Sequence, residues 1–391
     1  MIRPVAVLWT IAACLCAQAA HAGCDAANQY VFTYASRPTA TLSYGTSYTY
    51  SATNGAGASQ SFSVQVSQNG LSSTQVNSIA MPAISTLVTG SATSDRTLVF
   101  GGTFSGRTGS MTGTTRLITM TVTFAQPVRD FSLKAYDVDF TSNQFRDWVQ
   151  VTGSDGTTSY TPVLSTPWNT GNQTGEARTS TSSSLVVGPA TSPVSVSASQ
   201  AAGRQSSDNN SETGTLTASF AQPVTSITFK YGNYPYTSGE NSTGQQAIGI
   251  AGFTFCPMPS LSLAKTSEPV AGSLGAFNLP GNDVVYTLTL TNSGGSPVDP
   301  GTIVLTDALP SGVAFRNIAF DGSTSLPVKV IDAGGMTVSA GAISYRRSGE
   351  TAFTYSPTSG YDPLVDAIRI TPGGALDANA SLSVQFRARV E

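Results

Sequence analysis

Histidine, cysteine and charged side chains are all scarce in this chain of 391 residues. It holds one histidine and four cysteines, and 10% of its residues are Asp, Glu, Lys or Arg, against roughly 25% charged residues in average soluble domains. So little charge excludes coiled coils, charged tails and a basic groove for nucleic acid. The net charge of −3 offers no positive surface to phosphate. We therefore expect no nucleic acid partner.

The first 22 residues have the layout of a secretory signal peptide. Arg3 supplies a positive start, and the apolar run from Val5 to Ala20 is too short to span a bilayer stably. An A-x-A cleavage pattern ends at Ala22. We predict a signal peptide at 1–22, no transmembrane segment after cleavage, and a protein that is secreted, on the cell surface or periplasmic. A retained membrane anchor is the alternative.

Removal of this leader changes the chemistry left to the mature chain. The only histidine is lost with it, and so are two of the four cysteines. Ser-His-Asp and Cys-His catalytic arrangements then cannot form, and neither can zinc sites built on imidazole or several thiolates. Carboxylate catalysis and oxygen-ligated metals remain. The sequence therefore predicts a protein that is not an enzyme.

The two remaining cysteines, Cys24 and Cys256, lie far apart in the exported chain. Wide spacing in a secreted protein favours a structural disulfide over redox chemistry. Such a bond would tie the start of the mature protein to the end of its first domain. Unpaired thiols, and lipid attached to Cys24, are the alternatives.

Short alternating apolar runs follow the signal, and no helical periodicity accompanies them. One run is Phe62, Val64 and Val66, and each run ends in Gly, Pro, Asn, Asp or Ser. This pattern is typical of half-buried antiparallel strands. A stiff Pro-Met-Pro-Ser segment at 257–260 predicts a linker. We predict an all-β protein with domains at 23–256 and 261–391.

One segment of the first domain occurs twice. Thr119–Val128 recurs 96 residues later as Thr215–Val224, and Lys134 and Lys230 keep the same register beyond it. Each copy predicts a strand, a corner fixed by its proline, and a second strand. Two such hairpins predict a sandwich whose halves are related by rough symmetry.

The second domain resembles a known family. Its residues include Lys265–Pro269, Asp283–Gly294 and Leu305–Phe315, and together they resemble the conserved-repeat domain of unknown function found in bacterial surface and secreted proteins. The resemblance implies an immunoglobulin-like sandwich that serves as a stalk or spacer, without catalytic residues. Most relatives carry several copies, whereas this chain has one.

The first domain has a looser resemblance. Its proline corners, the segment from Asp137 to Asp139, the strand from Asp147 to Gly153 and the closing strand Gly249–Phe255 look like the jelly-roll heads of bacterial adhesins and carbohydrate-binding modules. The resemblance implies a large jelly-roll-like sandwich over 23–256 with a ligand-binding role.

Three carboxylates form the first candidate site. Asp137 and Asp139 are two apart in a predicted strand and so share a face, and Asp147 begins the next strand. Three oxygen donors of this kind suit calcium, the one cofactor that we predict. The alternative is a set of strand-end residues that accept backbone hydrogen bonds. Two of the carboxyls also fit the spacing of a glycosidase pair, although the glucanase pattern Glu-x-Asp-x-Glu is missing.

Aromatic side chains form the second candidate site. Tyr234 and Tyr236 lie where a strand ends, and Trp168 lies near another loop. Exposed rings of this kind hold the apolar face of a sugar, so we predict that these three bind a ligand. The alternative is that they pack loops against the sandwich.

Together these features predict an exported bacterial protein that binds a glycan or an extracellular protein, as an adhesin does, with an immunoglobulin-like spacer. A structural envelope or matrix component without a specific ligand is the first alternative. A carboxylate-based glycosidase is the second.

Overall fold

A computed structural model describes residues 24, 26–90, 92–141, 144–166, 175–177, 185–187, 194–203, 206–234, 244–272 and 275–391. Within these ranges the protein is built of strands, and its one helical turn is a 3-10 helix at Ala340–Ala342. The all-β prediction is therefore confirmed. No helix in the described ranges is long and apolar enough to cross a membrane. The predicted signal peptide lies outside the described residues.

The chain folds into two compact units. The first runs to Ser260 and includes Gly294–Ser296, and the second comprises Leu261–Ser293 and Pro297–Glu391. The description of these units as jelly-roll-like and immunoglobulin-like stays a prediction.

The strands of the first unit are β1 (Tyr30–Thr33), β2 (Ala40–Thr41), β3 (Ser47–Thr53), β4 (Ser59–Asn69), β5 (Leu71–Ser73), β6 (Gln75–Val76), β7 (Ile79–Ala80), β8 (Ala83–Ser85), β9 (Thr97–Phe104), β10 (Leu117–Tyr136), β11 (Phe140–Thr141), β12 (Phe145–Ser154), β13 (Ser159–Tyr160), β14 (Val163–Ser165), β15 (Gly175–Ala177), β16 (Leu185–Val187), β17 (Val194–Val196), β18 (Gln200–Gly203), β19 (Leu216–Ser219), β20 (Val224–Asn233) and β21 (Gln246–Pro257).

The longest strand, β10, belongs to both layers of the first unit. Its first half pairs with β4 and β20, and its second half pairs with β19 and β21. The pairings β21–β1, β1–β3 and β3–β4 then close a ring through β10. The inner faces pack through aromatic rings, as where Phe62 of β4 meets Phe253 of β21 with ring centres 5.8 Å apart. Their burial makes this the main core.

The repeated segment produces rough two-fold pairing between its two copies, whereas the sequence predicted a separate hairpin from each copy. Thr121 lies opposite Thr228, and strict symmetry would then place Thr217 opposite Ser132. Thr217 instead lies opposite Lys134. The register is offset by two residues, which keeps every side chain on its expected face because strand side chains alternate with a period of two.

The predicted strand end at Pro127 is wrong, although β10 does change its main partners across this residue. β10 continues through this residue, and its pairing with β20 jumps from Thr123 to Val128. Pro127 thus falls in a bulge, where the missing N–H costs no ladder hydrogen bond. The equivalent Pro223 does separate two strands, β19 and β20.

Cys24 and Cys256 form a disulfide bond, with their Cα atoms 5.9 Å apart. The predicted pairing is confirmed. Cys256 lies near the end of β21 and is buried, so the bond fastens the beginning of the described chain to the central ring of the first unit.

The strands of the second unit are β22 (Leu261–Pro269), β23 (Asp283–Asn292), β24 (Leu305–Ala308), β25 (Val313–Asn317), β26 (Val328–Asp332), β27 (Ile343–Arg347), β28 (Gly360–Asp362), β29 (Val365–Ile370) and β30 (Ser381–Val390).

Two sheets enclose the core of the second unit. One contains β22, β23, β30, β25 and β28, with β26 also paired to β30, and the other has the order β24-β29-β27. Tyr286, Leu288 and Leu290 of β23 face the core, as their alternation predicts.

Candidate functional site

The three predicted carboxylates meet at one place in the first unit. The strand β10 ends at Tyr136, and Asp137 adopts a left-handed backbone conformation with φ of 67°. Asp137 and Asp139 therefore do not share a strand face, and that part of the prediction is wrong. Val138, which lies between them in sequence, is buried in the core.

Asp147 lies in β12 and is fully buried. Its Oδ1 accepts hydrogen bonds from the Tyr231 hydroxyl at 2.6 Å and from Gln246 Nε2 at 3.1 Å. Its Oδ2 accepts the backbone N–H of Asp139 at 3.0 Å. Both carboxylate oxygens are thus engaged with protein donors, so Asp147 joins β12, β20, β21 and the segment after β10.

The other two carboxylates are less completely bonded. Asp139 Oδ2 accepts the backbone N–H of Ser207 at 3.0 Å. Asp137 is 8% exposed, and its Oδ1 is buried without a hydrogen-bond partner. Gln246 likewise keeps its Oε1 buried without a partner. The site is therefore crowded with oxygen acceptors.

This crowding changes how the carboxyls titrate. Burial, together with the charges of Asp139 and Asp208, raises the pKa of Asp137 to about 8. Burial raises the pKa of Asp139 to about 7, against the bond from Ser207. The pKa of Asp147 is also raised, by burial and by the charge of Asp139. Three carboxyls this close cannot all ionise cheaply, so the cluster holds protons near neutral pH.

The geometry gives little support to calcium at Asp137, Asp139 and Asp147. Among the described residues, no group of three or more acidic, histidine or cysteine side chains is arranged to hold a metal ion. Both oxygens of Asp147 already accept protein hydrogen bonds. The calcium site stays a prediction.

Of the three predicted ligand-binding aromatics, the structure describes Tyr234 alone. Its ring packs on Trp148 with ring centres 4.5 Å apart. Trp148 is itself 7% exposed, so this contact serves to pack the end of β20 against β12. Trp168 and Tyr236 lie outside the described residues.

A groove that the sequence analysis missed lies on the outer face of the first unit. It has a volume of about 280 Å³ and is lined by residues of β1, β10, β19 and β21. A second groove of about 650 Å³ lies beside residues 257–260 and has no charged lining residue. Neither groove is lined by Asp137, Asp139 or Asp147.

A bulge and a glycine lie among the residues that line the groove over β21. Gly252 lies between Thr33 of β1 and Lys134 of β10. The pairing then jumps from Gly252 to Ile250, so that Ala251 is the extra residue of a bulge. A Cβ at Gly252 would collide with the Phe32 carbonyl oxygen. The glycine thus allows the β1 backbone to approach β21 closely beside the groove.

Hydroxyl groups line this groove. Ser132, Thr217 and Thr254 line the groove on neighbouring strands, and Lys134 and Tyr136 stand beside them on the same face of β10. Alternation in β10 could have predicted which face carries these residues. It could not have predicted that β1 and β19 lie on either side.

The family models match no part of this chain, and no curated protein matches it significantly. The resemblances to conserved-repeat domains and to adhesin heads stay predictions.

Proposed function

We propose that this is an exported, non-enzymatic binding protein of the bacterial surface or extracellular space, whose first unit binds a glycan or another extracellular protein. The observation that carries the proposal is the outer groove, with its hydroxyl groups, a tyrosine and a lysine placed over a bulge. The second unit serves as a spacer.

Two further features support this role. The disulfide Cys24–Cys256 is of the kind that persists in oxidising compartments. The carboxylates that a glycosidase would use are nearly buried, and Asp147 is fully bonded to protein donors. A catalytic carboxyl must reach its substrate, so binding is favoured over hydrolysis.

The test is an array of glycans and extracellular matrix proteins probed with the full mature chain. Saturable retention on one class of ligand is the expected result. The same preparation is incubated with polysaccharides to look for reducing ends. Release of reducing ends that disappears in Asp139→Asn would contradict the proposal and favour the glycosidase.

A second candidate function, a structural envelope or matrix component, is favoured by β22. Among the described strands this edge strand pairs with β23 alone, and nearly all its residues are exposed. Leu261 and Leu263 lie on the face of β22 that alternation assigns to the core, yet they are 48% and 54% exposed. An open strand edge with exposed leucines is a template for pairing with another chain.

Analytical ultracentrifugation over a range of concentrations tests this second candidate. Self-association that Leu263→Lys abolishes would support it. Val304→Lys is the matched control, because Val304 is equally exposed, at 53%, in the same unit but outside the strand. A chain that stays monomeric at all concentrations would remove this candidate.

A further inference from the structure

We infer that the groove over β21 is a saccharide site, and that it binds an acidic sugar whose carboxylate pairs with Lys134. The inference rests on the proposed binding function and names a ligand class for it. Tyr234, the one predicted aromatic among the described residues, does not line this site.

The internal repeat supplies the main argument, because Lys134 has a counterpart. Lys230 occupies the equivalent position in the second copy, and its Nζ donates to the carbonyl oxygens of Met111 at 2.6 Å and Gly113 at 3.4 Å. A loop of the protein thus covers Lys230 with oxygen acceptors. The same position in the first copy opens into the groove.

Lys134 lacks such acceptors. In the part of the chain that the structure describes, its ammonium makes neither a hydrogen bond nor an ion pair, and its one recorded contact is the ring of Tyr136, with Nζ 5.9 Å from the ring centre. Of the described residues that line the groove, Lys134 is the single charged one. A negatively charged oxygen ligand would therefore accept hydrogen bonds from the Lys134 ammonium, as the loop carbonyls accept them from Lys230.

The rest of the lining fits a sugar ring. Hydroxyls of Ser132, Thr217 and Thr254 can donate or accept hydrogen bonds, while Tyr136 and the exposed Val31 offer apolar surface. A sugar has the same mixture, with hydroxyls at its rim and C–H groups on its faces. The volume of about 280 Å³ lies near the lower end of ligand pockets, roughly 300–1,000 Å³, and suits one or two rings lying flat.

Charges near the groove limit the ligand to one that engages Lys134 directly. Glu212 and Asp95 lie close enough to Tyr136 to raise its pKa, after the larger effect of burial. These carboxylates would repel an acidic sugar, so the proposal commits to direct contact between the ligand's carboxylate and Lys134.

Calorimetric titration of the full mature chain tests the inference, with trigalacturonate as the acidic sugar and maltotriose as the neutral one. We expect saturable binding of trigalacturonate and weaker binding of maltotriose. Lys134→Met should weaken trigalacturonate binding by about tenfold or more, the loss typical of one charge-assisted hydrogen bond. Lys134→Arg should retain most of it.

Lys230→Met is the matched control, because it removes the same charge at the equivalent repeat position. We expect it to leave binding unchanged once melting curves show that it is folded. Thr254→Trp, which fills the groove from the outer face, should abolish binding without loss of the fold.

The outcomes separate this inference from the proposed function. Trigalacturonate binding that neither Lys134→Met nor Thr254→Trp weakens overturns the groove and leaves a binding protein. Retention of some other ligand on the array, with neither sugar bound, does the same. No retention on any ligand overturns both.

Discussion

Asp147 in the first unit and Asp362 in the second are both buried aspartates that accept several hydrogen bonds, yet their pKa values move in opposite directions. Asp362 accepts the hydroxyl of Tyr355 at 2.9 Å and the backbone N–H groups of Thr358 and Leu364. Although burial opposes them, these bonds lower the pKa of Asp362. Asp147 also accepts three bonds, but its pKa is raised.

Burial is the largest cause of the difference. It raises the pKa of Asp147, and the charges of Asp139 and Asp137 add to the effect. At Asp362 the hydrogen bonds outweigh burial, and no pair of carboxylates acts on it. Deep burial beside like charges therefore overrides hydrogen bonds at Asp147, whereas hydrogen bonds decide the protonation of Asp362.

The disulfide is a second contrast, and its removal should have the largest effect. The bond joins residues separated by 232 positions, and the chain-entropy model gives about 5 kcal/mol as an upper figure for so long a loop. The second unit has no cysteine. We expect Cys24→Ser with Cys256→Ser to destabilise the first unit alone, measured by hydrogen exchange on peptides from each unit. Equal loss of protection in both units would contradict this.

Replacing each buried aspartate by asparagine should have the next largest effect. Asp362→Asn removes a charge that several donors stabilise, so we expect a loss of about 2 kcal/mol from the second unit at pH 8. Asp147→Asn also loses acceptors, but it relieves repulsion among three carboxyls, so its cost at pH 8 should be smaller. Urea unfolding followed by hydrogen exchange measures both. Equal costs would break the comparison.

The pH dependence of the two units should also be opposite. Asp137 and Asp139, with pKa values of about 8 and 7, bind protons in the folded state that the unfolded state releases near pH 4. The first unit should thus lose stability as pH rises from about 4 to 8. The lowered pKa of Asp362 makes the second unit lose stability as pH falls below about 4. Calorimetry across this range should show the two trends, and parallel curves would contradict them.

Local patterns in the sequence predicted the parts of the fold that depend on local chemistry. The alternation in β23 predicts that Leu288 and Leu290 face a core, and Cys24 and Cys256, the cysteines outside the predicted signal peptide, predicted their own disulfide. The meeting of Asp147 with Asp139 followed from a short connection between two strands. Each of these depends on residues near in sequence or on a choice with few options.

Features that depend on distant pairing could not be predicted in the same way. Alternation predicted that the strand continues through Asp137, but the left-handed conformation of this residue ends β10. This could not be predicted, because a non-glycine residue carries no clear sequence signal for positive φ. The groove needs β1 and β19 beside a bulge at Ala251. Pairing between strands that are far apart in the sequence produces no local periodicity from which it could be predicted.

The smallest predicted effect isolates the cost of the carboxylate cluster. Asp137→Asn removes one buried charge whose Oδ1 has no partner, and asparagine tolerates the left-handed backbone there. We expect a gain of about 1 kcal/mol at pH 8, or 2–4 °C in melting temperature, and no change at pH 5, where Asp137 is already protonated. Asp95→Asn, an exposed change of the same charge, should have no effect at either pH. Added calcium sharpens the comparison, because an ion held by Asp137 would reverse the sign of the stability change in Asp137→Asn. Calcium would then stabilise the unchanged protein at pH 8, and Asp137→Asn would lose that gain.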